Sequence, residues 1–386
     1  MKIKLHFIII LIAALFSGCE DEVSLTSEEF EQFMVVDGTI TNEPGPYTIE
    51  LSLSTPVNEP IKKPYTGCVV TIFEKSGESE TLTEVKPGVY KTSENGIRGK
   101  VGNSYSIDIQ TPDGETYASD YQEMQSEVKI EEITHEIETI NQGNNEDNIK
   151  GYQFYISTGN LKNNDSYFLW ELKETYEYVA DYPFYGIMND GEIERVDSYK
   201  YYKCWRTQEV DEIFTTSTLD ISSSSINNHP LVYVGDQTKK LQRKYSLLVK
   251  QYAVTKESYL YWTQIKEQIS EDNILSAEQP YQIQGNVYNP ENAKKPALGF
   301  FNVASVDTKR IFVEYPRNLN YMKCFIKYDW RPGIIRPASY TSPYYFGYGS
   351  KGMGLVSHKC VDCRLEGGKL EPPDFWNEDL NKNDGK

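Results

Sequence analysis

The chain holds little of what nucleophilic chemistry requires. Of its 386 residues only four are histidine, and one of those, His6, sits in the leader. That leaves His135, His229 and His358. No G-x-S-x-G elbow and no H-E-x-x-H helix occurs. Carboxylates are plentiful, but nothing singles out the two that glycoside hydrolysis needs; Glu192 and Glu194, for example, read as a solvated face. Basic residues are also short: 39 Lys and Arg stand against 57 Asp and Glu, a formal charge of −18. Such a chain repels nucleic acid, whose phosphates call for clustered Lys and Arg. After residue 16 no apolar run approaches the roughly 20 residues of a membrane-crossing helix. No catalytic residue is assigned, and no cofactor or metal is expected.

What is present begins at the N-terminus. Lys2 and Lys4 precede an unbroken apolar run over residues 7–16, and Ser17 and Gly18 lead into Cys19. This is a secretory signal with a small-residue cleavage site, with Phe16 where leucine is usual. A cysteine directly after the cut can take a diacylglycerol on its thiol and a further acyl chain on its freed amine. Two or more chains anchor stably where one is marginal. Residues 1–18 are therefore read as signal peptide and Cys19 as the lipidation site. Cleavage leaves 368 residues with a formal charge of −20. Glu20, Asp21 and Glu22 open an acidic tether over residues 19–31.

Six cysteines in an exported chain suit an oxidising compartment. Cys68 precedes an apolar, β-branched stretch and reads as a free core thiol. Cys204, Cys324, Cys360 and Cys363 form an even set for disulfides, and three pairings are open to them. His358, Cys360 and Cys363 also suggest zinc or a redox dithiol. A second Cys or His pair at zinc spacing is absent, and no thioredoxin-like unit surrounds the C-x-x-C. Structural disulfides are the reading adopted.

From residue 33 the sequence runs in short alternating segments separated by turn residues. Tyr47, Ile49, Leu51 and Leu53 alternate with polar neighbours, the mark of a half-buried strand. Asp37-Gly38, Pro87-Gly88 and Asp113-Gly114 read as turns. About seven such strands without a helix predict an immunoglobulin-like β-sandwich over residues 32–124. Residues 125–376 predict a larger, Tyr-rich antiparallel β domain, followed by a polar tail over 377–386. Residues 128–140 are read as a strand, despite helical spacing of Ile130, Ile133, Ile137 and Ile140, and pair as a hairpin with 152–157. Strands are also expected over 199–205, 299–304 and 310–315. One helix is expected, capped by Ser258, with Leu260, Tyr261, Ile265 and Ile269 on its packed face.

Tyrosine is used 30 times. The run Pro343-Tyr344-Tyr345-Phe346-Gly347-Tyr348 is flanked by proline and glycine and reads as a loop. Tyr344, Tyr345 and Tyr348 are its expected ligand or partner contacts. Gly347, Gly349 and Gly352 spell G-x-G-x-x-G, but no strand–helix unit surrounds them, so a flexible loop is preferred.

The C-terminal block Cys360-Val361-Asp362-Cys363-Arg364, Gly367-Gly368 and Pro372-Pro373-Asp374-Phe375-Trp376 resembles the closing signature of a Bacteroidota lipoprotein family, domain of unknown function 4249. Val35-Val36-Asp37-Gly38, Cys204-Trp205, residues 245–252, Gly285-Asn286-Val287 and Leu298-Gly299-Phe300-Phe301 agree in order. The resemblance implies a lipoprotein on the outer membrane, facing the cell exterior, that accompanies a TonB-dependent outer-membrane transporter. It supplies neither a reaction nor a ligand. The expectation is a non-enzymatic accessory or substrate-capture subunit. The alternatives are a stand-alone glycan- or peptide-binding adhesin and a carboxylate-dependent surface hydrolase.

Overall fold

Burial alternates along strands such as 34–39, 69–74 and 184–189, whereas the long strands over 245–254 and 298–306 are buried nearly throughout. The computed structural model describes residues 32–56, 61–141, 148–159, 166–189, 192–219, 225–270, 283–315, 321, 323–329 and 343–376. The expected signal peptide, Cys19, acidic tether and polar tail lie outside these residues.

The first half comprises β1 (Met34–Thr41), β2 (Thr48–Leu53), β3 (Lys63–Pro64), β4 (Val69–Glu74), β5 (Ser79–Thr81), β6 (Thr83–Lys86), β7 (Val89–Lys91), β8 (Ser104–Gln110), β9 (Thr116–Ser119) and β10 (Gln122–Glu123). One layer takes β1, β2, β3, β6 and β7, and the other takes β4, β5, β8, β9 and β10. Val36, Ile49, Leu51 and Tyr90 meet Val70, Ile72, Ile107 and Ile109 in a shared core where none is more than 1% exposed. Burial of each such side chain stabilises by about 1.5–3 kcal/mol. The expected N-terminal sandwich is present. Asp37-Gly38 is not a turn, however: the pair lies mid-strand, opposite Glu50 and Ile49 of β2.

The second half comprises β11 (Ile130–Asn141), β12 (Asn148–Thr158), β13 (Tyr167–Val179), β14 (Phe184–Asn189), β15 (Glu192–Arg195), β16 (Lys203–Glu209), β17 (Phe214–Ser217), β18 (His229–Gly235), β19 (Tyr245–Val254), α1 (Lys256–Ser270), β20 (Val287–Tyr288), β21 (Leu298–Val313), β22 (Tyr344–Gly349) and β23 (Gly352–Val356). The protein is mainly β with a single α-helix among the described residues, as the sequence predicts. β11 and β12 form the expected hairpin. A register shift between Ile130 and Glu132 lets Ile130 and Ile133 both be buried; Ile137 and Ile140, farther along the hairpin, are exposed.

β21 joins the halves. The segments expected separately over 299–304 and 310–315 are one strand of 16 residues. Its first part runs parallel to β1, from Val35↔Leu298 to Thr41↔Ala304. Its second part runs antiparallel to β19, from Ala253↔Ser305 to Tyr245↔Val313. One sheet therefore continues β16-β13-β19-β21-β1-β2-β7-β6 through both halves. Phe301 and Val303 fill the sandwich core, and Val313 belongs to the core of the second half. There Phe154 and Ile156 of β12 pack on Trp170 and Leu247. Trp170 donates its indole N–H to Gln251 Oε1 at 3.0 Å, leaving no buried donor unpaired at that point.

α1 lies on the other face of this sheet, with Tyr261 against Phe300 at 5.0 Å between ring centres. Its cap is Thr255, not Ser258: Thr255 Oγ1 accepts from Ser258 N at 3.2 Å. Ser258 is itself buried and donates its hydroxyl to Asn302 Oδ1 at 2.6 Å. The helix is thereby turned so that Tyr261 and Ile265 face the sheet, while Leu260 and Ile269 of the expected stripe are exposed. Residues 199–202 form turns instead of a strand, closed by Tyr199 N–H donating to Asp197 Oδ1, and β16 starts only at Lys203.

Gly299 makes the parallel junction possible. Its φ is +83°, and a Cβ there would stand 2.0 Å from Val36 O. Gly299→Ala combines a left-handed backbone with a clash against the neighbouring strand. It is expected to destabilise by about 2 kcal/mol or more, read as a lowered urea midpoint. A variant within about 0.5 kcal/mol of the parent would contradict this role of the junction.

Candidate functional site

Past Tyr176 the edge of the large sheet gives way to a small sheet, ordered β15-β14-β22-β23. Two disulfides tie this end together. Cys204 of β16 bonds Cys363, and Cys324 bonds Cys360. The even set of four is thus fully paired, and Cys68 is the free, buried thiol. The first bridge spans 159 residues of chain and the second 36. Cross-links of such spans stabilise by about 2–5 kcal/mol each. Around them, Tyr178 donates its hydroxyl to Cys363 O at 2.6 Å, and Tyr182 donates to Cys324 O at 2.7 Å.

The expected tyrosine loop is not a loop. Tyr344 to Gly349 forms β22, which pairs with β14 on one side and β23 on the other. The G-x-G-x-x-G stretch is the β22–β23 hairpin. Proline and glycine pointed away from a strand, but Gly347 and Gly349 are needed for close packing: a Cβ would stand 2.9 Å from Tyr182 Cβ at the first and 2.0 Å from Tyr328 Oη at the second. Alternation then puts Tyr345 on one face of the strand and Tyr344 and Tyr348 on the other. Tyr345 stacks on His358, with ring centres 3.8 Å apart. Tyr344 packs beside Met188, Phe346 and Leu355. Tyr348 alone is largely exposed, at 54%. Its ring lies 5.9 Å from that of Tyr185, and the Arg195 guanidinium sits 5.2 Å over the Tyr185 ring. Arg195 also donates to Tyr185 Oη at 3.1 Å. The sequence offered no signal for Arg195, because β15 reaches this surface only through its pairing with β14.

Beside Cys324 lies a polar groove of about 720 Å³. Tyr176 and Tyr178 of β13 and Arg206 and Gln208 of β16 form one wall; Lys239, Lys240, Lys323, Lys359, Asp181 and Glu366 complete it. Beneath it Glu174 is fully buried. Its carboxylate accepts from Gln208 Nε2 at 2.6 Å and Tyr245 Oη at 3.0 Å, and meets Lys240 Nζ at 2.6 Å. Lys239 Nζ stands 3.4 Å from Asp181 Oδ1 and 3.0 Å from Glu366 Oε2. Neither approach has hydrogen-bond alignment, so Lys239 Nζ and Asp181 Oδ1 are buried without a hydrogen bond among the described residues. Burial pushes Tyr176 up to about 12, against the opposing charge of Arg206, and also raises Tyr178 and Tyr321. All three stay neutral hydrogen-bonding phenols at physiological pH.

No described constellation supports nucleophilic or metal chemistry. His135 packs on Tyr152, His229 on Trp170 and His358 on Tyr345. His358 Nε2 lies 3.7 Å from Asp362, but that carboxylate is already engaged by the Arg364 guanidinium at 2.8 Å and 3.0 Å. Among the described residues, the one cluster of metal-type ligands, Asp181 with Cys324 and Cys360, has both sulfurs in a disulfide. Cys360 and Cys363 are not bonded to each other, which removes the redox dithiol.

A family model described as a domain of unknown function, DUF4249, matches residues 20–310. The match covers most of the chain but ends before the Cys360 to Trp376 block that the resemblance leaned on most. No curated protein matches the chain.

The three imidazoles yield a pH signature. Burial holds His135, His229 and His358 below the ordinary value of 6.5; Lys266 adds to this at His229, and Arg364 adds to it at His358 against Asp362. Below that value the unfolded chain takes up protons before the folded one, so stability falls as pH drops. Urea midpoints are expected to decline between about pH 7 and pH 5, and His229→Phe is expected to flatten part of the decline. A parent profile that is level over that range would refute the assignment.

Proposed function

The chain belongs to the DUF4249 family, and on that premise we propose a membrane-tethered, non-enzymatic surface lipoprotein. It serves a TonB-dependent outer-membrane transporter as accessory or substrate-capture subunit. In this reading Cys19 is acylated and the acidic residues after it direct the body outward.

The observation that carries the proposal is the placement of the two ends along β21. The segment from Cys19 joins the body at Gln32, and β1 begins beside Leu298 at the start of β21. Val313, at its far end, leads through Tyr245 and Tyr176 to the disulfide-tied end. Sixteen residues of strand span about 50 Å. The tyrosine surface and the groove therefore stand well away from the point where the tether enters. Exposed Tyr348 and Arg195, with half-buried Tyr185 between them, are residue types that dominate protein–protein contacts. Their position on a cross-linked sheet keeps the ordering cost of binding low. A stand-alone adhesin stacking its ligand on Tyr344, Tyr345 and Tyr348 fits less well, because His358 already covers one face of Tyr345.

The test is recovery of a transporter from solubilised outer membranes by the full acylated chain. Recovery is expected, with Tyr185→Ala/Tyr348→Ala reducing it about tenfold or more, as loss of a contact hot spot would. Absence of any transporter, or equal recovery by the double variant, would count against the proposal.

A further inference from the structure

The polar groove has no place in the docking surface. Its lining includes none of Tyr185, Arg195 and Tyr348, and its charge is opposite in sign to that of the chain as a whole. Overall the chain carries 57 acidic residues against 39 basic ones. In the groove the ratio reverses: Arg206, Lys239, Lys240, Lys323 and Lys359 face Asp181 and Glu366. Even with buried Glu174 counted beneath Lys240, the balance is five positive to three negative. The five come from four separate stretches of sequence, so no run of like charges accounts for the cluster.

Partnering divides them. Lys240 is held by Glu174, Lys239 lies between Asp181 and Glu366, and Arg206 donates to Glu366 O at 2.8 Å. Lys323 and Lys359 are exposed on the rim and make no ion pair with a described residue. At the base, the Asp181 side chain is 99% buried: Oδ2 accepts from Cys324 N–H at 3.1 Å, and Oδ1 faces Lys239 Nζ at 3.4 Å without a hydrogen bond, which leaves it able to accept from a ligand hydroxyl. The wall between base and rim is hydroxyl and amide: Tyr176, Tyr178, Tyr321, Gln208, Gln237 and Thr238.

We propose that this groove binds a small anionic solute, its carboxylate or phosphate group held between Lys323 and Lys359 and its neutral hydroxyls directed at Asp181 and the tyrosine–glutamine wall. A volume of about 720 Å³ is that of a small-molecule site. In a chain of this net charge, a confined basic site is the one place where an anion is drawn in locally while anionic surfaces are repelled. The inference rests on the groove and not on the transporter. Binding to the isolated chain is expected whether or not a transporter is ever recovered.

Isothermal titration of the full chain in low salt, with trigalacturonate, inorganic phosphate and neutral maltotriose as probes, tests it. Binding is expected for at least one anionic probe and not for maltotriose. Lys323→Ala/Lys359→Ala should weaken binding tenfold or more with no change in melting temperature, since both side chains are exposed. Higher salt should weaken it too. Retention of trigalacturonate alone would identify a carboxylated sugar, and of phosphate alone a phosphorylated solute. No binding of either anion, equal binding of maltotriose, or a double variant that binds like the parent would overturn the proposal.

Discussion

One parallel backbone ladder, between β1 and the first part of β21, conditions the rest of the molecule. Parallel pairing cannot be made by a hairpin and is closed here only after more than 250 residues of intervening chain. Yet it gives the first sandwich layer its neighbour and carries Phe301 and Val303 into that core. The same strand, continuing past Ala304, becomes the partner of β19 and helps bury Val313 in the second core. Neither half is complete without it. The residue that permits the contact is Gly299, where the two backbones approach too closely for a side chain.

From that spine the chemistry at the far end follows. β13 and β16 extend beyond β19, and Tyr178 near the end of β13 lies opposite Cys204 near the start of β16, at the first disulfide. The two bridges then fasten the C-terminal turns and the small tyrosine sheet onto a frame already rigid. Polar groups can be buried there because the network meets most of their needs: Glu174 is surrounded by a phenol, an amide and an ammonium group. Asp181 Oδ1 and Lys239 Nζ, which line the groove, and Trp205 Nε1 beside the first disulfide are exceptions among the described residues. The aromatic surface and the basic groove are thus two faces of one cross-linked end, with different chemistries suited to different partners.

Much of the local structure was legible in the residues. Period-two alternation located the sandwich strands, β-branched content favoured a strand over 128–140 pairing with 152–157, and cysteine counting separated Cys68 from the paired four. Pairing partners were not legible, because alternation tells which face of a strand is buried and nothing about its neighbour. Residues 299–304 and 310–315 looked like two strands since Asp307, Thr308 and Lys309 interrupt the apolar run, although the backbone ladder to β19 continues through them. The tyrosine run was misread for a related reason: glycine signals both turns and close packing, and only the proximity of Tyr182 and Tyr328 decides for packing. The groove was beyond reach, as Arg206, Lys239, Lys323 and Lys359 meet only through the disulfides and sheet edges.

The central claim is that the sandwich and the disulfide-tied half form one structural unit through β21. All five tryptophans, at 170, 205, 262, 330 and 376, lie in the second half, whereas Cys68 is buried in the sandwich. Urea unfolding of a Cys19→Ser chain, followed in parallel by tryptophan emission and by labelling of the Cys68 thiol, reports on each half separately. Coincident midpoints are predicted. A thiol exposed at clearly lower urea than the tryptophan transition, or the reverse, would contradict the account.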